Sequence, residues 1–362
     1  MTPAPFITLN GRRLGAGQPV YLVAELSANH GHDLERAVRL VEEAKRAGAD
    51  AIKLQTYTPD TLTIDSHRPP FQIEGTPWSG TTLYRLYEQA YTPWEWHARL
   101  QAAATDLGLD FFSTPFDDTA VAFLEELAVP AFKVASFENT HLPLLRTVAR
   151  TGKPVILSTG MATLGELDEA VRTLREAGCQ ELVLLRCVSA YPAPPEAMHL
   201  RAIPHLADTF EVPMGLSDHT LDLAVPVAAA TLGACLIEKH VTLSRSTPGP
   251  DAAFSLEPHE FKAMAEAVRT AQAALGPPRY GPSGPEHASI VFRRSVFVVE
   301  DVPAGAPLTP ENIRIIRPGH GLAPRYYDDL LGRRAAQPLQ RGTPLTWAMV
   351  GGAEVVQSLP HA

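Results

Sequence analysis

Cysteine is scarce in this chain: Cys179, Cys187 and Cys235 are the whole set, and no two form a CxxC pair. An odd, sparse set of thiols gives no disulfide framework and fits a reducing cytosol. Long apolar runs are also missing, since none approaches the ~18 residues that a membrane-crossing helix needs. Residues 1–10 show no basic stretch followed by an apolar core, as a secretory leader would. We therefore expect a cytoplasmic protein. Positive charge is not in excess either. The formal net charge is −9, which sets aside nucleic acid and anionic membranes as partners of the whole protein. An anionic substrate would have to meet positive charge supplied locally. Finally, no GxGxxG follows the first strand candidate, so the chief signature of a doubly wound dinucleotide-binding sheet is absent.

What is present is regular alternation. Eight short apolar runs stand out as strands: YLVAEL (21–26), AIKLQT (51–56), DFFST (110–114), AFKVAS (131–136), PVILST (154–159), ELVLLRC (181–187), VPMGLS (212–217) and CLIEKH (235–240). Amphipathic stretches such as LERAVRLVEEAKRAG and LGELDEAVRTLREAG separate them, each ending in the Gly that a helix C-terminus favours. Eight strands alternating with helices over roughly 250 residues predict a (β/α)8 TIM barrel. Residues 57–92 interrupt the pattern with Pro, Gly, Trp and Tyr, and a long loop at that end of a barrel is commonly a lid or substrate wall. A Pro/Gly-rich linker opening GPPRYGPSGPEH then marks a boundary. We divide the chain into a barrel (1–275), the linker (276–289) and a small β-rich domain (290–362).

Polar residues punctuate the strand ends. Glu25 closes the first strand, Lys53 and Gln55 the second, Thr114 the third, and Lys133 and Ser136 the fourth. Ser189 follows the sixth, Ser217 and His219 end the seventh, and Glu238 and His240 end the eighth. In a barrel these positions converge on the C-terminal rim, where such enzymes keep their active sites. A single Lys in an apolar strand is ordinarily an edge residue. A closed barrel has no edge, and a buried unpaired ammonium costs several kcal/mol. Lys53 and Lys133 together therefore point to a bound phosphate, with Thr and Ser hydroxyls completing its hydrogen bonds. His219 and His240 end neighbouring strands beside the carboxylates Asp218 and Glu238, with Asp251 further on. Imidazoles with water and oxygen ligands suit Mn2+, Fe2+, Co2+ or Zn2+. His30 and His32 read equally well as loop residues, and Trp78, Trp94 and Trp96 as packing under the long loop.

Ordered motifs along nearly the whole chain resemble the sialic acid synthase family, and within it the pseudaminic branch. They include AELSANH (24–30), AIKLQTYTPDT (51–61), FSTPFD (112–117), FKVASFE (132–138), STGMAT (158–163), SAYPAP (189–194), GLSDHT (215–220), IEKHVTL (237–243) and GPDAAFSLEP (249–258). The C-terminal part, with IRPGHGL (316–322) and RGTPL (341–345), resembles the antifreeze-like (SAF) domain of these enzymes. The resemblance implies condensation of phosphoenolpyruvate with an open-chain amino sugar, releasing phosphate by C–O cleavage. By motif, Lys53, Thr114, Lys133, Ser136, Ser189 and Ser217 would hold phosphoenolpyruvate. His219 and His240 would hold a divalent metal, Mn2+ first, with Mg2+ or Co2+ as alternatives. Glu25 and Glu238 would handle protons or water. Gln55, Tyr191 and Asp251 would contact the sugar, joined by Arg317 reaching into the partner subunit of a domain-exchanged homodimer.

Two departures bear on the substrate. N-acetylneuraminate synthases usually carry Asn where this chain has Ser189 and His where it has Ala252. These differences favour 2,4-diacetamido-2,4,6-trideoxy-L-altrose as acceptor. An N-acetylneuraminic or legionaminic acid synthase is the alternative within the class. A metal-dependent aldolase or lyase, with Lys53 or Lys133 forming a Schiff base, is the alternative outside it.

Overall fold

The computed structural model describes residues 5–76 and 78–351. The chain divides into two compact units, Met1–Gly276 and Pro277–Ala362.

The first unit begins with a feature not anticipated from the sequence: an antiparallel hairpin of β1 (Phe6–Leu9) and β2 (Arg12–Gly15). Its signal was the Asn10-Gly11 pair between two four-residue strands. Both residues have positive φ, 46° and 76°, as a tight hairpin turn requires.

Eight parallel strands follow and close into a barrel. They are β3 (Tyr21–Glu25), β4 (Ala51–Thr56), β5 (Asp110–Pro115), β6 (Phe132–Val134), β7 (Val155–Ser158), β8 (Leu182–Cys187), β9 (Met214–Asp218) and β10 (Leu236–His240). β10 pairs with β3 to close the ring. Each matches a run read from the sequence. The fourth is shorter than expected, because Ser136–Glu138 turns into a 3-10 helix at once.

Helices connect the strands. The first, α1 (Leu34–Arg46), is capped by Asp33, whose carboxylate accepts from the Arg36 N–H, and it buries Ala37, Leu40, Val41 and Ala44 on one face. That i, i+3, i+4, i+7 spacing is what a helix needs to cover a barrel wall. Residues 57–92 hold two short helices, α2 (Pro59–Leu62) and α3 (Leu83–Ala90), rather than unbroken loop. Alternation then continues through α10 (Pro258–Leu275).

The N-terminal end of the barrel is closed by a charge network. Asp50 accepts from Arg12 (2.7 Å), Arg269 (2.7 Å) and the Leu22 N–H (2.9 Å). Nearby, the Tyr21 hydroxyl donates to Asp110. Asp50→Ala would strand a partly buried N–H and two guanidinium groups, costing about 1–3 kcal/mol. We expect several degrees' loss of Tm by calorimetry with kcat/KM unchanged, since conserved chemistry in this architecture sits at the other end.

The second unit is built on two small antiparallel pairs. One joins β11 (Ser295–Val298) to β12 (Ile313–Ile316), and the other joins β13 (Arg334–Ala335) to β14 (Val350–Gly351). Val296, Val298, Leu308, Ile313, Leu330 and Leu345 form its core. Arg317 directly follows β12. Among the described residues, no helix is long and apolar enough to cross a membrane.

Candidate active site

Strand parity carries charge into the barrel. Ile52 and Leu54 of β4 join the hydrophobic core, whereas Lys53 and Gln55, offset by one residue, line a cavity at the C-terminal rim. Thr114, Lys133, Ser136, Tyr191, Ser217, His219, Glu238 and His240 line the same cavity. One rule of alternation therefore brings together most of the residues singled out in the sequence.

At its base lie two lysines and two carboxylates, all essentially out of solvent. Lys53 is ion-paired with Glu25, stands 3.7 Å from Glu238 and donates to Thr114 Oγ1 at 3.1 Å. Lys133 Nζ is 3.9 Å from Glu238 and donates to the Val134 carbonyl at 3.1 Å. Ser217 Oγ donates to Glu238 at 3.2 Å. The two carboxylates differ in surroundings. Burial would raise both, but Lys133, Lys53 and His219 together outweigh it at Glu238 and hold that carboxyl below its usual range. At Glu25 burial wins over Lys53, and the carboxyl lies above its usual range. Glu238 is thus the better stabilised anion, and Glu25 the more readily protonated of the two. Such separation is how acid and base roles are set in a site. Burial lowers Lys133, with Glu238 opposing it. Lys53 is held above its usual value, because Glu238 and Glu25 overcome burial.

Beside this quartet is a cradle of hydroxyls. Ser136, Ser158, Thr159 and Ser189 each bury a hydroxyl oxygen that has no hydrogen-bond partner. Gly160 threads between them: with φ at +34°, a Cβ there would lie 2.2 Å from Ser136 Cβ and 3.1 Å from Ser189 Oγ. Orphaned buried hydroxyls are rare in native proteins. Those of Ser136 and Ser158 line the same cavity as the two ammonium groups, where a polyoxygen anion would satisfy them.

The histidines stand across the cavity, ring centroids 5.3 Å apart. His219 Nδ1 lies 2.8 Å from the Val188 carbonyl. That contact places a proton on Nδ1 and leaves Nε2 without a protein partner, the arrangement of a carbonyl-oriented metal ligand. His240 Nδ1 is buried without a partner, and burial holds this ring well below the usual imidazole range, hence neutral. Burial lowers His219 too, but Cys187 beside it outweighs burial and holds that ring above its usual range. Two imidazoles with nitrogens free of protein partners fit a divalent ion, which would displace any proton from the ligating nitrogen. Among the described residues, no group of three His, Cys, Asp or Glu is arranged to hold one, so remaining positions would fall to water or substrate.

The expectation that Asp218 accompanies these histidines is corrected. Its side chain points to the opposite face of β9 and pairs with the fully buried Lys239 at 2.6 Å. Lys239 also donates to the Thr220 carbonyl, and Asp218 accepts from the Thr220 N–H at 2.9 Å. This pair ties β9 to β10 directly behind the two rings.

On the outer side, Gln55 donates to Ser27 Oγ at 3.0 Å, and Ser27 in turn donates to Asp251. Burial raises the Asp251 carboxyl, with Ser27 and the Ala28 N–H acting against it. Tyr191 stacks on His219 with centroids 4.5 Å apart. Trp78, expected as packing under the long loop, also reaches the site, its ring 5.3 Å from that of Tyr191. Trp94 and Trp96 do pack in the body, against Phe123 and His30 respectively. His30 contacts Thr92 at 3.1 Å, holding the long loop in place. Arg317 lies in the second unit, directly after β12.

Several residues were missed. Ser158 ends β7 and Thr159 follows it inside the STGMAT motif, and the strand-end rule applied elsewhere would have found them. Glu138, its carboxyl pushed up to about 7 by burial and one oxygen unpartnered, sits in FKVASFE. Phe254 had no polar signature to betray it.

Comparison with known proteins follows the same lines. Residues 40–280 match the model of the NeuB family, and residues 293–351 match the SAF domain. The chain is 45% identical over 331 residues to the pseudaminic acid synthase of Helicobacter pylori, covering 91% of this chain and 97% of that protein. It is 38% identical over 339 residues to the N,N'-diacetyllegionaminic acid synthase of Legionella pneumophila, covering 92% and 95%. Among solved structures, N-acetylneuraminic acid synthetase of Leptospira borgpetersenii is similar with a TM-score of 0.70 and 31% identity. That similarity covers 79% of this chain and 95% of the other.

Proposed function

The chain belongs to the NeuB family, and on that premise we propose that it is an enzyme condensing phosphoenolpyruvate with 2,4-diacetamido-2,4,6-trideoxy-L-altrose. The product is pseudaminic acid, a nonulosonic acid, with release of phosphate. The observation that carries this reading is the cavity in which Lys53 and Lys133 stand beside Ser136 and Ser158, whose buried hydroxyls have no partner. Phosphoenolpyruvate brings a phosphate and a carboxylate, enough oxygens for both lysines and for the hydroxyls of Ser136 and Ser158, with Ser189 close by across Gly160.

In the reaction, C3 of phosphoenolpyruvate forms a bond to the acceptor's aldehyde carbon, whose oxygen takes up a proton. Water adds at C2 and gives up its protons, and the C2–O bond to phosphate breaks. Glu25, the carboxyl kept protonatable by burial, hands over or receives the proton beside Lys53. Glu238 stays anionic between the two lysines and steadies positive charge developing at C2. Lys53 and Lys133 stabilise the departing phosphate. Gln55, Tyr191 and Asp251 face the acceptor. Arg317 joins them from the partner's second unit in a domain-exchanged homodimer, a reading supported by the family resemblance. The three cysteines, all free and buried, suit a cytoplasmic protein.

His219 and His240 would hold a divalent ion, Mn2+ first and Mg2+ or Co2+ as alternatives. When bound, it supplies Lewis-acid polarisation of the aldehyde. Chelation is expected to lower turnover by on the order of 10²-fold or more, with Mn2+ restoring it. Direct metal analysis should find His219→Ala and His240→Ala depleted. Full turnover by metal-free protein would contradict this assignment.

Phosphate release from phosphoenolpyruvate against a panel of amino sugars tests the acceptor. We expect the 6-deoxy diacetamido sugar to exceed N-acetylmannosamine by roughly 10²-fold in kcat/KM. Equal or better use of N-acetylmannosamine would move the assignment to a sialic acid synthase.

A further inference from the structure

Trp78 lies in the long segment after β4, far in sequence from the residues it touches. Its indole N–H donates to the Pro250 carbonyl at 2.8 Å, tying that segment to the residue preceding Asp251. Its ring is tilted against Tyr191 at 5.3 Å and edge-on to Phe254 at 6.3 Å. Those two rings rest in turn on the histidines: Tyr191 on His219 at 4.5 Å and Phe254 on His240 at 5.0 Å. The three aromatics form a continuous wall leading outward from the imidazole pair. At its outer edge Trp78 also borders a cavity of about 620 Å³, lined by His32, Glu88 and Pro248 among others. Trp78 therefore connects that outer cavity to Tyr191, which lines the catalytic cavity.

The polar bookkeeping of this wall is one-sided. The single polar atom of Trp78 is already engaged by Pro250, Phe254 has none to offer, and the Tyr191 hydroxyl is the one other polar group of the three rings. A hydroxyl brought against the indole face would lose its water without gaining a partner from the indole or from Phe254, whereas a methyl group would only gain contact.

We propose that Trp78 is a specificity-determining residue that receives the deoxy terminus of the acceptor. With the aldehyde carbon at the histidines, the open-chain sugar runs along Tyr191 and Phe254, and its C6 methyl packs on the indole. This inference rests on the proposed condensation and names the part of the acceptor that the wall reads.

The test compares two acceptors differing only at C6: 2,4-diacetamido-2,4,6-trideoxy-altrose and its 6-hydroxy counterpart. Wild-type protein, Trp78→Phe and Trp78→Gln are measured with each, together with calorimetric affinity for phosphoenolpyruvate as a check that the inner cavity is intact. Wild type should prefer the 6-deoxy sugar in kcat/KM. Trp78→Phe, which keeps an apolar ring, should preserve the ratio within about threefold. Trp78→Gln, which offers a donor and an acceptor, should lower it by on the order of tenfold or more, with phosphoenolpyruvate affinity unchanged. An unchanged ratio in Trp78→Gln would overturn the role of Trp78 while leaving the condensation standing. So would loss of phosphoenolpyruvate binding in that variant, because the wall would then serve the inner cavity instead. Failure of wild type to use either sugar would overturn the condensation itself, and this inference with it.

Discussion

Lys53→Met is expected to lower kcat/KM for phosphoenolpyruvate by several hundred-fold or more. Lys53 is one of only two ammonium groups lining the rim cavity, and it contacts Glu25, Glu238 and Thr114 at once. Removing a cation from a desolvated anion site leaves the anion underpaired, at about 2–5 kcal/mol, which is roughly 30- to several-thousand-fold in affinity. The same change strips Glu25 of its counter-ion, and a stranded buried charge can cost about 3–5 kcal/mol in stability. Here the stability loss should stay below that range, because Glu25 already lies above the usual carboxylate range and can discharge the penalty by holding a proton. Calorimetric titration with phosphoenolpyruvate, paired with thermal unfolding, separates the two effects. Affinity should collapse while Tm falls only modestly. Unchanged affinity would remove Lys53 from the anion site.

Gly160→Ala is expected to be nearly as damaging, for a purely steric reason. The added methyl would sit 2.2 Å from Ser136 Cβ and 2.5 Å from Ser136 Oγ. The nearest obstacle is a Cβ anchored to the backbone, so no side-chain rotation relieves the clash. Positive φ at this position adds strain for any residue with a side chain. Either the turn after β7 or the 3-10 turn at Ser136 must move, and both carry the unpartnered hydroxyls. We expect kcat/KM for phosphoenolpyruvate to fall by on the order of 10²-fold, because misplacement by about 1 Å suffices for such a loss. An overpacking cost of about 1–3 kcal/mol should accompany it. The double variant Gly160→Ala with Ser136→Gly should regain stability by making room, without regaining the lost Ser136 hydroxyl. Unaltered phosphoenolpyruvate kinetics in Gly160→Ala would show that the cradle is not where the anion binds.

The barrel was legible because its signals are periodic. Runs such as AIKLQT and CLIEKH are apolar on the wall-facing side whatever the ligand, and helices such as Leu34–Arg46 repeat at i, i+3 and i+4. Lys53, Lys133, Glu238 and His240 stood out for the same reason: each breaks an apolar run at a position whose parity points inward. Legibility failed where the determining contacts are long-range or lack polar marks. The hairpin of Phe6–Leu9 and Arg12–Gly15 is too short for periodicity to register. Asp218 looked like a companion of His219 because adjacency in sequence was taken for adjacency in space. Alternation along a strand puts neighbours on opposite faces, and Asp218 pairs with Lys239 instead. Trp78 and Phe254 are 176 positions apart, and nothing local announces that they meet. Ser158 and Thr159 were marked plainly at a strand end and were overlooked.

Condensation at this cavity is tested most directly by incubating the protein with phosphoenolpyruvate and 2,4-diacetamido-2,4,6-trideoxy-L-altrose, following inorganic phosphate and product mass together. Phosphate should appear only when the sugar is present, in equal amount to a new acid. That acid's mass should equal both substrates plus water, less phosphate. Phosphate release independent of the sugar, or trapping of a Schiff base on Lys53 or Lys133 by borohydride, would contradict the condensation and point to aldolase or lyase chemistry instead.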